Sequence, residues 1–216
     1  MFEKIIYAGV VFMGFSAIMN PFSGISIFLT LTANEDEQNV KKIAFTSTIT
    51  AFTIVVIFAI AGHLLLDLFG VSFTALRLAG GVLVALIGYE MLQGKQSLIN
   101  NPSKKMMEKT VKEEGSIAVT PLGIPLLAGP GVIITAMNFS TGGLVNLFIT
   151  ICAFALLCFI TYTFFIWGKQ IKAIIGLNVL KALTRMMGLI LVVIGTQMFI
   201  EGVYSAVQEF PRINYF

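Results

Sequence analysis

Charge is scarce in this chain. Asp, Glu, Lys and Arg make up 12% of its 216 residues, against 57% apolar types. That charged share is about half the usual one and leaves too little polar surface for a water-soluble fold of this size. A single histidine, His63, excludes a His-Glu-x-x-His zinc motif. Two cysteines, Cys152 and Cys158, exclude a disulfide framework. Both lie in one apolar run, at a spacing that puts them on different helix faces, and read as packing residues. The basic residues form no groove or motif for nucleic acid. No Asp or Glu stands at the middle of a long apolar run, and no serine or cysteine has a plausible base. An intramembrane enzyme is therefore unsupported, and no metal or cofactor is expected.

Long apolar runs are what the sequence does have. Several approach or exceed the roughly 20 residues that span a bilayer. The fold class is an all-α polytopic membrane protein with six transmembrane helices. The spans are expected at about 5–31, 43–66, 74–92, 117–138, 144–168 and 179–202. The flank Glu3-Lys4 does not read as a cleavable signal peptide, and the first run is taken as the first helix.

Basic residues sort to one side. Lys41, Lys42, Lys95, Lys104, Lys105, Lys109, Lys112, Lys169, Lys172 and Lys181 fall between spans one and two, three and four, and five and six. The other side has Lys4 and Arg212. The positive-inside rule then puts both termini outside, in a cell inner membrane. Trp167 and Tyr162 are candidate interfacial anchors. The only sizeable polar piece is 94–116, read as a cytoplasmic linker. There Lys104–Glu114 has the pattern of a short surface helix, with Glu108 and Lys112 spaced as an ion pair. The domain reading is one membrane unit: repeat one at 1–93, the linker, repeat two at 117–203, and a tail at 204–216.

Two spans are interrupted by proline. The first carries Asn20-Pro21-Phe22-Ser23-Gly24. The second carries Pro121-Leu122-Gly123-Ile124-Pro125-Leu126-Leu127-Ala128-Gly129-Pro130-Gly131. Proline removes a donor and clashes with the preceding turn, so each interruption frees amides and carbonyls at membrane depth. Lipid cannot satisfy them. Broken helices in corresponding places of two halves point to a transporter's substrate site. Spans three and six also match: Arg77 precedes Gly81 and Gly88-Tyr89-Glu90-Met91, as Arg185 precedes Gly188 and Gly195-Thr196-Gln197-Met198. Three spans per copy is odd, so the second copy inserts upside down, and two inverted-topology repeats are expected.

Arg77 and Glu90 lie 13 positions apart, roughly 20 Å along a helix, and Arg185 and Glu201 lie 16 apart, roughly 24 Å. These charges bracket the hydrocarbon core. They read either as snorkelling flanks and fixed ion pairs or as gating and coupling groups, one pair on each side.

The residues around both breaks, with Arg77-Leu78-Ala79-Gly80-Gly81 leading to Ile87-Gly88-Tyr89, resemble the MarC/SnatA family of six-helix inner-membrane proteins, also called the neutral amino acid transporter family. The likeness runs to about Val203. It implies transport of small neutral amino acids such as glycine and alanine, apparently driven by an ion gradient.

Such a substrate has a carboxylate and an ammonium. The amides near Ser23 and Gly24, and near Gly131 and Val132, suit the carboxylate at a half-helix start. Carbonyls freed before Pro21 and Pro130 suit the ammonium, and Asn20 offers both donor and acceptor. Gly24, Gly129 and Gly131 let backbone approach a small ligand. The substrate-binding set is thus Asn20, Pro21, Ser23, Gly24, Gly129, Pro130, Gly131 and Val132. Thr46, Thr50 and Thr53 share one helix face and read either as a polar path or as hydroxyls bonded to their own helix. The coupling ion is H+ or Na+, with Glu90 and Glu201 as the carboxylates to consider. Partners are the small amino acid and the lipid bilayer, with a homo-oligomer left open. Import and export are not separable at this level. The competing readings are a passive small-solute channel, an exporter of another metabolite, and a membrane subunit without transport of its own. The first resembles aquaporins in its Asn-Pro motif but lacks the second Asn.

Overall fold

The computed structural model describes residues 2–33, 35–68, 70–94 and 127–213. Among the described residues all regular structure is helical: α1 (Phe2–Met19), α2 (Pro21–Leu31), α3 (Glu37–Leu68), α4 (Phe73–Leu92), α5 (Pro130–Phe139), α6 (Leu144–Ile166) and α7 (Gly168–Ile213). Five stretches are long and apolar enough to cross a bilayer: 2–31, 37–62, 73–92, 144–166 and 178–208. The remaining expected span, the fourth, is described only from Leu127 onward, as the short apolar helix α5. The linker at 95–116, with Lys104–Glu114 and the Glu108–Lys112 pair, and the motif from Pro121 to Leu126 lie outside the described residues.

Local chemistry sets the ends. Asp36 Oδ1 accepts from the Asn39 amide at 2.8 Å, so α3 starts in the polar flank, ahead of the apolar run that marked the span. Ser72 caps α4 by accepting from the Ala75 amide at 3.1 Å. The last helix is longer than the apolar run within it. It begins right after α6 and turns at Gly176, whose φ of 79° suits glycine.

The first break and α6 run side by side. Phe15 packs on Phe154, Thr161 Oγ1 donates to Met19 Sδ, Phe22 packs on Phe164, and Phe28 stacks on Phe165 with ring centroids 4.3 Å apart. These contacts advance together, so α1 and α2 follow α6 in one direction. Helix α5 runs the other way along α1: a Cβ on Gly14 would meet the Phe139 ring at 3.0 Å, and one on Gly131 would meet Ile18 at 3.5 Å. Outward faces are apolar, as at Leu64, Leu144, Phe148 and Ile174. Hydrocarbon gives little drive for helices to associate, so close packing has to supply it.

The closest packing is between α4 and α7. A Cβ on Gly81 would meet Phe199 N at 2.6 Å and Gly195 O at 2.7 Å. On Gly188 it would meet Gly88 O at 2.8 Å and Leu92 N at 3.0 Å. On Gly88 it would meet Gly188 O at 2.6 Å and Val192 N at 2.7 Å, and on Gly195, Ala85 N at 2.4 Å and Gly81 O at 2.7 Å. Backbone touches backbone here, and only glycine permits it.

Candidate functional site

The first break centres on Asn20. It is the only non-glycine residue among the described ones with positive φ, at 41°. Asparagine tolerates this left-handed conformation better than other chiral residues. Pro21, the first residue of α2, has its φ pre-set for a helix start. Asn20 in turn caps α2. Its Oδ1 accepts from the Ser23 amide at 3.4 Å, and its carbonyl accepts from Ser23 Oγ at 3.1 Å and the Gly24 amide at 3.2 Å. Asn20, Pro21 and Gly24 are buried and Ser23 is half-buried.

The second break is built differently. Gly129 precedes α5 in an extended conformation, with no side-chain cap. Pro130 again begins the helix. The Gly129 carbonyl accepts from the Val132 and Ile133 amides at 2.9 and 3.1 Å. The Gly131 amide is left as the donor of that turn without an acceptor among the described residues. Gly129, Gly131 and Val132 are buried. Of the amides expected to be open, those of Ser23, Gly24 and Val132 are therefore engaged within their own turns.

The two breaks are neighbours. Gly131 faces Ile18, two residues before Asn20, and Ile87 on α4, which a Cβ would meet at 3.0 Å. Because α2 follows α1 and α5 opposes it, the two half-helices start at one level and run apart. Both positive dipole ends meet inside the bundle.

The charged residues separate into two unlike ends. At one, Arg77 Nε donates to Asn138 Oδ1 at 2.8 Å, Nη1 lies 3.9 Å from Glu201 Oε2, and the guanidinium sits 4.9 Å from the Phe73 ring centroid. Gln197 Nε2 donates to Glu201 Oε1 at 3.0 Å. The Glu201 side chain is 44% exposed, so its pairing with Arg77 is the weak member and the Asn138 bond the strong one. At the other end Glu90 is half-buried, and its Oε2 is buried with no hydrogen-bond partner among the described residues. Arg185 is exposed and lies against Gly94, with Nη2 3.0 Å from where a Cβ would stand. Among the described residues no ion pair joins Glu90 to Arg185. The structure thus brings Arg77 and Glu201 together, as their shared end implied, and leaves the other two apart.

On α3, Thr46 and Thr50 are half-buried. Thr53 is exposed and donates to its own helix at Ile49 O, 2.8 Å away. The buried hydroxyls of that helix are Ser47 and Thr48, which bond to Ile43 O and Ala44 O at 2.7 and 2.9 Å. Trp167 is exposed at the end of α6, and Tyr162 packs edge-on to Phe45. Cys158 is buried and Cys152 exposed, both free. The His63 side chain lies outside those described.

Sequence reasoning passed over Thr135, Asn138 and Gln197. Gly131, Thr135 and Asn138 are spaced four and then three apart, the pattern of one helix face. That signal was readable in a run otherwise apolar, but nothing in it names Arg77 as the partner.

A family model described as MarC family integral membrane protein matches residues 4–207. The UPF0056 membrane protein YvbG of Bacillus subtilis (strain 168) is 36% identical over 204 residues, covering 94% of this chain and 95% of that protein. The UPF0056 membrane protein MJ1677 of Methanocaldococcus jannaschii is 34% identical over 200 residues, covering 90% and 95%. The UPF0056 inner membrane protein MarC of Escherichia coli (strain SMS-3-5 / SECEC) is 32% identical over 205 residues, covering 89% and 92%. No solved structure is a significant match. The chain belongs to the MarC family of integral membrane proteins.

Proposed function

We propose that this member of the MarC family is a secondary transporter of small neutral amino acids, working by alternating access around its two breaks. The observation that carries the reading is the meeting of two half-helix starts inside one bundle. The two starts bring their positive dipole ends, and the second brings the Gly131 amide, to the same level, where an anionic group would sit. A carboxylate fits this setting, and the buried glycines at 24, 129 and 131 would let backbone come close to a small ligand.

Two inverted three-helix repeats are part of the proposal. Its support is the reciprocal crossing of α4 and α7, where Gly81 meets Gly195 as Gly188 meets Gly88. Both termini outside is the orientation supported by the ten lysines on the opposite side. Ion coupling by H+ or Na+ would draw on Glu90, whose buried oxygen lacks a partner among the described residues, and on Glu201.

The test is uptake of labelled alanine and glycine by the purified protein in liposomes, with proton and sodium gradients imposed separately. The reading expects saturable, gradient-driven uptake that Asn20→Ala or Gly131→Leu removes. Saturable exchange of unlabelled for labelled substrate distinguishes a carrier from a passive channel. Folded protein that moves neither amino acid under any gradient would end the assignment.

A further inference from the structure

Among the described residues two buried hydroxyl oxygens in the bundle, those of Ser16 and Thr135, behave unlike the rest. Thr32, Thr48, Thr150, Thr161 and Ser47 are buried, and each donates to the carbonyl four residues earlier, at 2.7 to 2.9 Å. Thr135 is fully buried, and its Oγ1 has no hydrogen-bond partner among the described residues. The carbonyl it declines is that of Gly131, at the second break. Side chains on a helix lean toward its N-terminus, so Thr135 lies over the turn that begins α5.

Its neighbours along the helix extend the pattern. At 3.6 residues per turn, Gly131, Thr135 and Asn138 fall within about 60° of arc. All three are buried. Flanking contacts place this face. On one side Ile134 reaches Gly80 and Asn138 reaches Arg77, both on α4. On the other, Phe139 packs on Phe15 and approaches Gly14, both on α1. The face between them looks into the seam of α1 and α4, where Ile194 of α7 also reaches Gly14. Among the described residues, an amide without an acceptor, a hydroxyl without a partner and a carboxamide held by an arginine succeed one another along it.

We propose that this face of α5 is the wall of the solute path from the breaks to the Arg77 end, with Thr135 a substrate-contacting residue and Arg77 the closure of that path. The proposal rests on the carrier reading above. Thr135 keeps its hydroxyl free because the passing solute is its partner. Its position one turn from the Gly131 amide lets both donate to one carboxylate. Arg77 holds Asn138 in the closed form. When α5 swings away, the guanidinium exchanges Asn138 for Glu201, already 3.9 Å away and fixed by Gln197. The arginine thus keeps an acceptor in both forms, which lowers the cost of opening.

Thiol accessibility tests this without relying on transport. In a chain with Cys152 and Cys158 replaced by alanine, Thr135→Cys is made alone and with Arg77→Gln. A charged thiol reagent is added to both faces of the vesicles. Ala136→Cys, about 100° from Thr135 round the same helix, is the control. The expected result is slow labelling at 135 that Arg77→Gln accelerates about tenfold or more, the scale set by losing one charge-assisted bond. Arg77→Lys should fall between, and position 136 should stay unreactive throughout. Labelling at 135 that ignores Arg77, or equal acceleration at 136 from general loosening, would overturn the proposal. A separate uptake assay keeps the two readings apart. Accessibility that responds to Arg77 without alanine uptake removes the amino acid and leaves the path. Alanine uptake with position 135 always sealed removes the path and leaves the carrier.

Discussion

The two halves of this chain agree where α4 crosses α7 and disagree at their breaks. At the crossing, each glycine of one half meets the backbone of the other as its counterpart does, within a few tenths of an ångström. At the breaks, Asn20 bends into the left-handed region and caps its own half-helix with its side chain, while Gly129 stays extended and has no side-chain cap. A crossing is a matter of shape, and shape constrains both halves alike. A break is a matter of which amides are left open, and the two halves differ there. On the carrier function proposed above, unlike breaks would suit a zwitterion, whose two ends need different partners.

The sharpest way to break the agreement is to fill the crossing. Gly88→Val and Gly195→Val each drive a side chain into backbone atoms at 2.4 to 2.9 Å, which no rotamer relieves. Each should cost about 3 kcal/mol or more and lower the yield of monodisperse protein in detergent. Gly9→Val, with nothing within 4 Å of its Cβ, should change neither. Collapse at one of the paired glycines and tolerance at the other would end their equivalence.

The disagreement is sharpened next at Asn20. Asn20→Ala removes the bond to the Ser23 amide and puts a methyl-bearing residue at φ 41°. Loss of the cap and the left-handed strain together cost about 2–3 kcal/mol. Asn20→Gly removes the cap but keeps the conformation, and should cost a few tenths. Thermal unfolding of both variants checks the order, with Ala the less stable. Equal losses would mean that conformation plays no part at this break.

Gly129→Asn makes the second break resemble the first. The extended backbone at 129 accepts an N-cap, so stability should rise by a few tenths of a kcal/mol. Alanine uptake should fall, because the new carboxamide takes up the donors of that turn. A stabilised variant with unaltered uptake would show that those donors are not used.

Much of this architecture was legible because membranes impose it. Long apolar runs had to be helices, and prolines within them had to open the backbone. The charged ends were legible in part. Arg77 and Glu201 were placed at one end by counting residues along a helix, and the structure pairs them. Asn138 was not found, because its partner is 61 positions away and a lone asparagine in an apolar run reads equally as packing. The centre of the first break was placed near Pro21, although proline fits the start of a helix well. It is the residue before it that leaves helical geometry. The stretch 169–178 was read as a connection between spans five and six; the structure makes it helical up to a turn at Gly176, because its apolar residues continue a helix and only the backbone angle of this glycine interrupts it.

The smallest expected effect tests whether the disagreement extends to the ends. Arg77 is tied to Asn138, lies against Glu201 and sits over Phe73, whereas Arg185 is exposed and rests on the backbone at Gly94. An exposed arginine without an ion pair among the described residues contributes little, because water or headgroups solvate it as well in the unfolded chain. Arg185→Gln should therefore change stability by less than about 0.5 kcal/mol. In a chain of this length that is a shift of only about 1–2 °C in melting temperature. Differential scanning fluorimetry in detergent, at low and high salt, reads this directly. A drop of many degrees that salt reduces would mean that Arg185 is held as firmly as Arg77. The halves would then agree at their ends as they do at their crossing, and the asymmetry would be confined to the breaks.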